Sequence, residues 1–301
     1  IGITRRSDVQ DLNLSIAQLL PTLFDIRGNA AKILQYMEDA SRKGSDLLVL
    51  PEMSLTGYGV GEAMQGPGIR KRLESETRLA LAEIRKASKR LDLDVLLSYP
   101  LFSKKRAYIA AEYLRSGKRA ALHRKLNLCN YAHYTEHLHF SEGLSPTVAT
   151  GSKGVFGILL CEDSWHALNG IVETLLGAEI LLVPSAPCVT EENDGKVSIA
   201  RWETITRATA FLQTSFVVMG AMAGQEKDRF FLGGSHVVSP EGEILCRLPL
   251  FEEAVVQVRL ESELLKCTRE RRPLLRNERI SIYQKAFGKN GPLTEKNRRK
   301  R

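Results

Sequence analysis

The chain has 301 residues, 43% hydrophobic and 26% charged, which suits one large domain or two small ones with a sizeable core. No apolar run approaches the roughly 20 residues that span a bilayer, and no signal-peptide pattern opens the chain, so no membrane partner is expected. The net charge of +8 sits at the C-terminal end: residues 266–301 hold 13 Lys/Arg against 3 acidic residues, whereas residues 1–265 hold 30 against 32. A basic run of this kind is usually a solvated terminus, and no stacking platform or reading helix accompanies it, so nucleic acid is not an expected partner.

In chain order, LNLSIAQLLP (12–21) reads as a strand. NAAKILQYMEDASRKG (29–44) has apolar residues at helical spacing and closes on Gly44. DLLVLPE (46–52) is an apolar strand ending at Glu52. ESETRLALAEIRKASKRLDL (74–93) is a second amphipathic helix, and DVLLSYPL (94–101) a strand. AYIAAEYLRSGKRAALHRK (107–125) reads as two strands around a Ser-Gly turn. GVFGILLCED (154–163) is a buried strand, with Phe156 to Leu160 leading into Cys161. IVETLLGAE (171–179) is helical, ILLVPSAP (180–187) a strand, VSIARWETITRATAFLQTS (197–215) a long helix and FVVMGAMAG (216–224) a strand. GGSHVVSPEGEILCRL (233–248) closes as a hairpin turning at Pro240-Glu241-Gly242. Strand and helix alternate throughout, and runs such as LLVL and ILLV imply sheets covered on both faces, hence a mixed, layered α/β fold. One domain over residues 1–285 is expected, with 286–301 as a flexible basic tail and TEENDG (190–195) as a second disordered stretch.

The five cysteines, Cys129, Cys161, Cys188, Cys246 and Cys267, are odd in number, widely spaced and without a CxxC pair. That pattern argues against a disulfide framework and against a zinc site of the usual spacing, and the chain reads as reduced and cytoplasmic.

Reactive groups in α/β folds collect at the C-terminal ends of strands. Here Glu52 ends LLVLPE, Lys125 follows a strand in HRKLNLCNY, Glu136 lies beyond it in YTEHLHF, and Cys161 ends the strand in LLCEDSWH. Taken singly, each has a bland reading: a packed thiol, a solvated or capping carboxylate, a surface ammonium. Together they form a chemical set. A carboxylate takes the thiol proton, the thiolate attacks a carbonyl carbon, and an ammonium with the N–H of Glu162 holds the resulting oxyanion. The product is a thioester that water cleaves.

In order and spacing, Glu52, Lys125 and Cys161 resemble the Glu-Lys-Cys triad of the nitrilase (carbon–nitrogen hydrolase) superfamily. Glu136 resembles that family's second glutamate, which positions the lysine and the substrate. The resemblance covers roughly residues 12–285, including FLGGSHVVSPEGEIL and RRPLLRNERISIY. It implies a four-layer αββα sandwich of two mixed sheets, no metal, no cofactor, and assembly into homo-oligomers through helix faces. CEDSW is similar to the glutaminase domain of glutamine-dependent NAD synthetase, and Tyr131 matches a glutamine-contacting tyrosine of that branch. Lys196 matches a second substrate-contacting residue there, and Ser185 stands beside Ala186-Pro187 where the branch has Ser-Pro. The chain has Leu138-His139-Phe140 in place of an Arg-Tyr-Phe run, and its 301 residues hold no Gly-rich phosphate loop of a synthetase domain. The expected activity is therefore hydrolysis of a small carboxamide, glutamine-like compounds included. A catalytically silent scaffold and an N-carbamoyl or nitrile hydrolase of the same fold stand as alternatives.

Tyr58 is expected near the pocket entrance. Trp165 and Trp202 line either the pocket or the core. His133, His137 and His139 read as polar loop residues rimming a pocket, because no second cluster supplies further metal ligands. His166, five residues after Cys161, is badly placed to serve as its base. Asp163 is expected to cap the turn after the strand, Cys129 lacks the buried strand of a nucleophile, and Gly233-Gly234 is expected to make a tight turn.

Overall fold

The computed structural model describes residues 9–64, 66, 68–103, 106–132 and 134–288. The apolar runs pair as strands, and the amphipathic segments between them wind into helices. In order these are β1 (Leu12–Gln18), α1 (Ile26–Arg42), β2 (Leu47–Val49), α2 (Val60–Ala63), α3 (Ile69–Leu91), β3 (Asp94–Ser103), β4 (Arg106–Arg115) and β5 (Lys118–Arg124). Then come β6 (Val148–Thr150), β7 (Val155–Ile158), α4 (Ala167–Leu175), β8 (Ile180–Ser185), β9 (Cys188–Val189), α5 (Gly195–Gln213) and β10 (Phe216–Ala221). The chain continues with β11 (Ala223–Glu226), β12 (Arg229–Leu232), β13 (His236–Val238), β14 (Ile244–Arg247), β15 (Ala254–Leu260), α6 (Ser262–Arg271), α7 (Leu274–Asn277) and α8 (Ile280–Phe287).

One six-stranded sheet runs β15-β1-β2-β3-β4-β5 and the other β14-β13-β10-β8-β7-β6. Each has a parallel centre, β1/β2/β3 and β10/β8/β7, flanked by antiparallel strands. Helices α1 and α3 cover the first sheet, α4 and α5 the second, and the sheets meet through β1 and β10, giving the αββα sandwich. The layering explains why LLV and ILLV are apolar on both faces: one packs on a helix, the other on the opposite sheet. Leu14, Ile16, Val49, Leu96, Ile158, Leu182 and Val218 form the shared core. Gly220 lets the sheets approach, since a Cβ there would sit 3.0 Å from Val49 Cγ1.

Local signals account for most boundaries. Asp25 accepts the Gly28 N–H at 2.9 Å and starts α1 three residues before the apolar spacing becomes obvious. Asp92 ends α3 in the left-handed region at φ 47°. Gly233 and Gly234 both adopt positive φ, but no tight turn forms there as expected: Gly233 bridges to Leu250 instead. Gly242 adopts positive φ in the turn between β13 and β14. Three further expectations are corrected. β1 stops at Gln18. FVVMGAMAG divides between β10 and β11, and β11 joins a third, small sheet ordered β11-β12-β9. TEENDG is ordered, with a single 3-10 turn at Glu192–Asp194 leading into α5. Residues 289–301 of the basic tail lie outside the described residues, and no helix among the described residues is long and apolar enough to cross a membrane.

Candidate active site

Four predicted site residues converge where parallel strands of both sheets end. The ladder of β2 extends one step, with the Leu50 N–H on the Leu96 carbonyl, before the chain turns through Glu52 and Met53. Met53 takes φ 53°, and the turn leaves Glu52 fully buried. Lys125 continues the extended chain of β5, its N–H on the Ile109 carbonyl at 2.9 Å, and its side chain is fully buried too.

Lys125 Nζ donates to Glu52 Oε1 at 2.8 Å and to Glu136 Oε1 at 2.7 Å. Glu136 opens a 3-10 turn, Glu136–Leu138, and is fixed from three sides. Besides Lys125, it accepts the Tyr58 hydroxyl on Oε1 and the Cys129 N–H on Oε2 at 2.8 Å. One ammonium thus stands between two carboxylates, the arrangement that makes burial of the charges tolerable.

Cys161 begins a 3-10 turn, Cys161–Trp165, directly after the end of the β7 chain. β7 itself ends at Ile158, two residues earlier than the sequence suggests. The cysteine adopts φ 47°, a left-handed conformation that costs a non-glycine residue roughly 1–3 kcal/mol. Ser164 Oγ donates to the Cys161 carbonyl at 2.7 Å and helps to hold it there.

The thiol lies close enough to Glu52 to favour that residue's charged form, yet short of the hydrogen bond that would satisfy Glu52 Oε2, a buried oxygen with no partner among the described residues. Burial pushes the Glu52 carboxyl up to about 7 against the opposing pull of Lys125. Burial works to lower Lys125, but the carboxylates of Glu52 and Glu136 hold it well above its ordinary value. The Cys161 thiol is pushed well above its usual range by burial and then by Glu52, with Lys125 opposing. At rest the sulfur keeps its proton, beside a carboxyl group that titrates near neutrality.

Around this centre the other predicted residues divide. Glu162 is buried, and its Oε2 accepts the Tyr131 hydroxyl at 2.8 Å, so an acidic group and a half-exposed tyrosine stand next in line to Cys161. The Tyr58 ring lines a cleft with Gly59, Tyr134, Glu136, His139 and Arg229. Trp165 is exposed and meets the buried Trp202 edge-on at 5.3 Å, which assigns the first to the surface and the second to the core. Ser185 is fully buried at the end of β8, its hydroxyl turned back to the Val183 carbonyl, and the N–H of the next residue, Ala186, bears on the Cys161 sulfur. Lys196 is exposed on the first turn of α5, and its side chain makes no hydrogen bond or ion pair among the described residues. His166 Nε2 lies 3.5 Å from Glu162 Oε1. Burial pushes Cys129 up to about 12. Among the described residues no group of three or more His, Cys, Asp or Glu side chains could hold a metal ion; His133 lies outside them.

Sequence reasoning missed two features. Asp163 does cap the turn through the Leu160 N–H at 3.1 Å, but it also accepts from the loop after Lys125 and from His123. The signal available was strand period: His123 precedes Lys125 by two residues and so shares its face. Tyr134 was also passed over; its hydroxyl contacts the Cys188 N–H at 3.0 Å, and its ring packs edge-on against Tyr58.

The class of protein that carries this sandwich and its buried Glu-Lys-Glu cluster is given by the family comparison, and it is a class of hydrolase. Residues 13–270 match the carbon–nitrogen hydrolase family, and the chain belongs to that family. It is 29% identical over 250 residues to the glutamine-dependent NAD(+) synthetase of Thermotoga maritima, covering 83% of this chain and 42% of that protein. The chain therefore spans about two fifths of the length of the curated relatives it matches first. Its fold is shared with a carbon–nitrogen hydrolase from Helicobacter pylori G27, at a TM-score of 0.82 and 22% identity, covering 92% of this chain and 98% of that one. It is also shared with an amidase from Nesterenkonia sp., at a TM-score of 0.74 and 22% identity, covering 94% and 98%.

Proposed function

We propose that this carbon–nitrogen hydrolase is an amidase that cleaves a small carboxamide through a thioester on Cys161. Glu52 takes the thiol proton, and the sulfur attacks the amide carbon. The Lys125 ammonium and the Glu162 N–H stabilise the oxyanion. The tetrahedral intermediate collapses as Glu52 returns the proton to the departing nitrogen, releasing ammonia or an amine. Glu52 then activates water, which attacks the thioester and frees the carboxylic acid and the thiol. Each proton leaves and returns through one carboxylate, so no further acid or base is required.

The observation that carries this reading is the Glu52 carboxyl near 7, hydrogen-bonded to a buried ammonium and adjacent to a thiol that cannot ionise unaided. The carboxylate of Glu162 and the hydroxyl of Tyr131 beside Cys161 support a carboxamide that also bears an ammonium group, such as glutamine. Leu168, Val172 and Leu176 leave an exposed apolar stripe along α4 and just beyond it, which supports assembly into homo-oligomers. Cys161→Ala tests the activity: carboxamide turnover should fall at least about 10⁴-fold, with the circular dichroism spectrum unchanged. An active, folded Cys161→Ala protein would exclude the mechanism.

A further inference from the structure

The reaction proposed above requires a fixed distance between the turn that carries Cys161 and the loop that carries Lys125. The two follow strands of different sheets, β7 and β5. Asp163 fastens them together. Its Oδ1 accepts the N–H of Leu126 at 3.0 Å and of Asn127 at 2.7 Å, the two residues after Lys125. Its Oδ2 accepts the N–H of Leu160, the residue before Cys161. Asn169 adds a second stitch, its Nδ2 donating to Asn127 Oδ1 at 2.8 Å and to the Asp163 carbonyl at 2.9 Å.

Asp163 is fully buried, and its remaining partner is His123, whose Nε2 lies 2.9 Å from Oδ2. His123 is fully buried as well, and its Nδ1 lies 3.0 Å from Thr147 Oγ1. With Nε2 donating to the carboxylate and Nδ1 against the threonine hydroxyl, the ring is fixed at both nitrogens. It sits on β5 two residues before Lys125, so it ties the strand that presents the ammonium to the carboxylate that anchors the nucleophile turn. A buried ligand whose orientation matters is commonly held by such an outer partner, and Cys161 has particular need of one because its own backbone conformation is unfavourable.

We propose that His123 is a positioning residue, which acts through Asp163 to set the Cys161 sulfur against Glu52 and Lys125. This rests on the cysteine-hydrolase reading, but its test does not need the substrate to be known. The rate of Cys161 alkylation by iodoacetamide, followed by peptide mass, reports the activated thiol directly. Folded His123→Leu should alkylate Cys161 about 10²-fold more slowly than the parent. On a hydrolysed carboxamide its kcat should fall by a similar factor, while KM stays within about threefold. His123→Gln, whose side-chain amide nitrogen can reach the place of Nε2, should recover about tenfold of that loss. A purely structural role would lower the melting temperature and leave the alkylation rate and kcat of the folded protein alone, and that result in His123→Leu overturns the proposal. Should His123→Leu not fold, Thr147→Val decides: a loss of about tenfold in alkylation supports the proposal and an unchanged rate overturns it. A parent protein whose Cys161 reacts no faster than Cys129 or Cys188 overturns the cysteine-hydrolase reading itself, a result separate from any difference between variants.

Discussion

The Lys125 ammonium stands 2.8 Å from Glu52 Oε1, and neither side chain is exposed to solvent. With Glu136 on the other side at 2.7 Å, this pair is held by electrostatics that only the complete set satisfies. Removing the cation would strand two carboxylates in the core. Lys125→Met should therefore lower stability by about 3–5 kcal/mol as well as abolish turnover. Adding Glu136→Gln should return part of the stability and none of the activity, which chemical denaturation and a turnover assay on the same preparations would read.

In the proposed mechanism Glu52 serves as the base, which requires it to be ionised. Its folded value is raised to about 7, so kcat/KM should rise with pH through about 7 and fall away on the acid side. In Glu52→Gln the rate should drop by about 10²–10⁴-fold, and the residual activity should lose that acid limb. A pH profile of kcat/KM for both proteins checks the assignment; an acid limb that survives the substitution assigns it to another group.

Glu162 and Tyr131 are proposed to hold an ammonium group on the substrate. Glu162→Gln keeps the backbone N–H and removes the charge. It should raise KM for glutamine by about tenfold and leave a neutral carboxamide such as propionamide almost unaffected. Equal effects on both substrates would assign Glu162 to the geometry of the turn instead.

Glu173 offers a test of the fold independent of the reaction. It is fully buried on α4, its Oε1 takes the Thr147 N–H at 3.3 Å, and Oε2 has no partner among the described residues. Burial raises its carboxyl from 4.5 to about 9. The folded protein thus keeps a proton that the unfolded chain releases above 4.5. This contribution to stability is whole below that pH and is lost progressively as the pH rises toward 9. Glu173→Gln removes the titration and keeps the acceptor. Its melting temperature should exceed the parent's by about 3–6 °C at pH 8.5, with little difference at pH 5.

The parts of the site legible in the sequence are those that depend on local order. Glu52 and Cys161 each follow an apolar run closely, and a run of buried strand followed by a polar break is a one-dimensional signal. The helices α1 and α3 likewise announce themselves by apolar spacing. What depends on distant pairing was not legible. β9 is two residues long and exists because Cys188 and Val189 pair with Phe231 and Phe230, some forty residues on. The left-handed backbone of Cys161 has no side-chain signature, since cysteine is not a residue that seeks that region. The bond from His123 to Asp163 joins a strand residue to a turn 40 residues on; strand period places His123 on the face of Lys125, but the partner across the fold is not written near either residue. Ser185 illustrates the same limit: its place at the end of an apolar run was readable, but not that its buried hydroxyl turns back to the Val183 carbonyl of its own strand.

The central claim is that Cys161 is a nucleophile activated by Glu52, and a competition among the five thiols tests it most directly. The other four thiols all stand above their ordinary values, Cys129 to about 12 and Cys188 to about 11 by burial, Cys246 by burial, and Cys267 by its bond to Glu263. Brief treatment with limiting iodoacetamide at neutral pH, followed by intact mass and peptide mapping, should label Cys161 ahead of the rest, and Glu52→Gln should remove that preference. Labelling spread over the other cysteines with Cys161 inert in both proteins would mean that the thiol is packing, and would contradict the account.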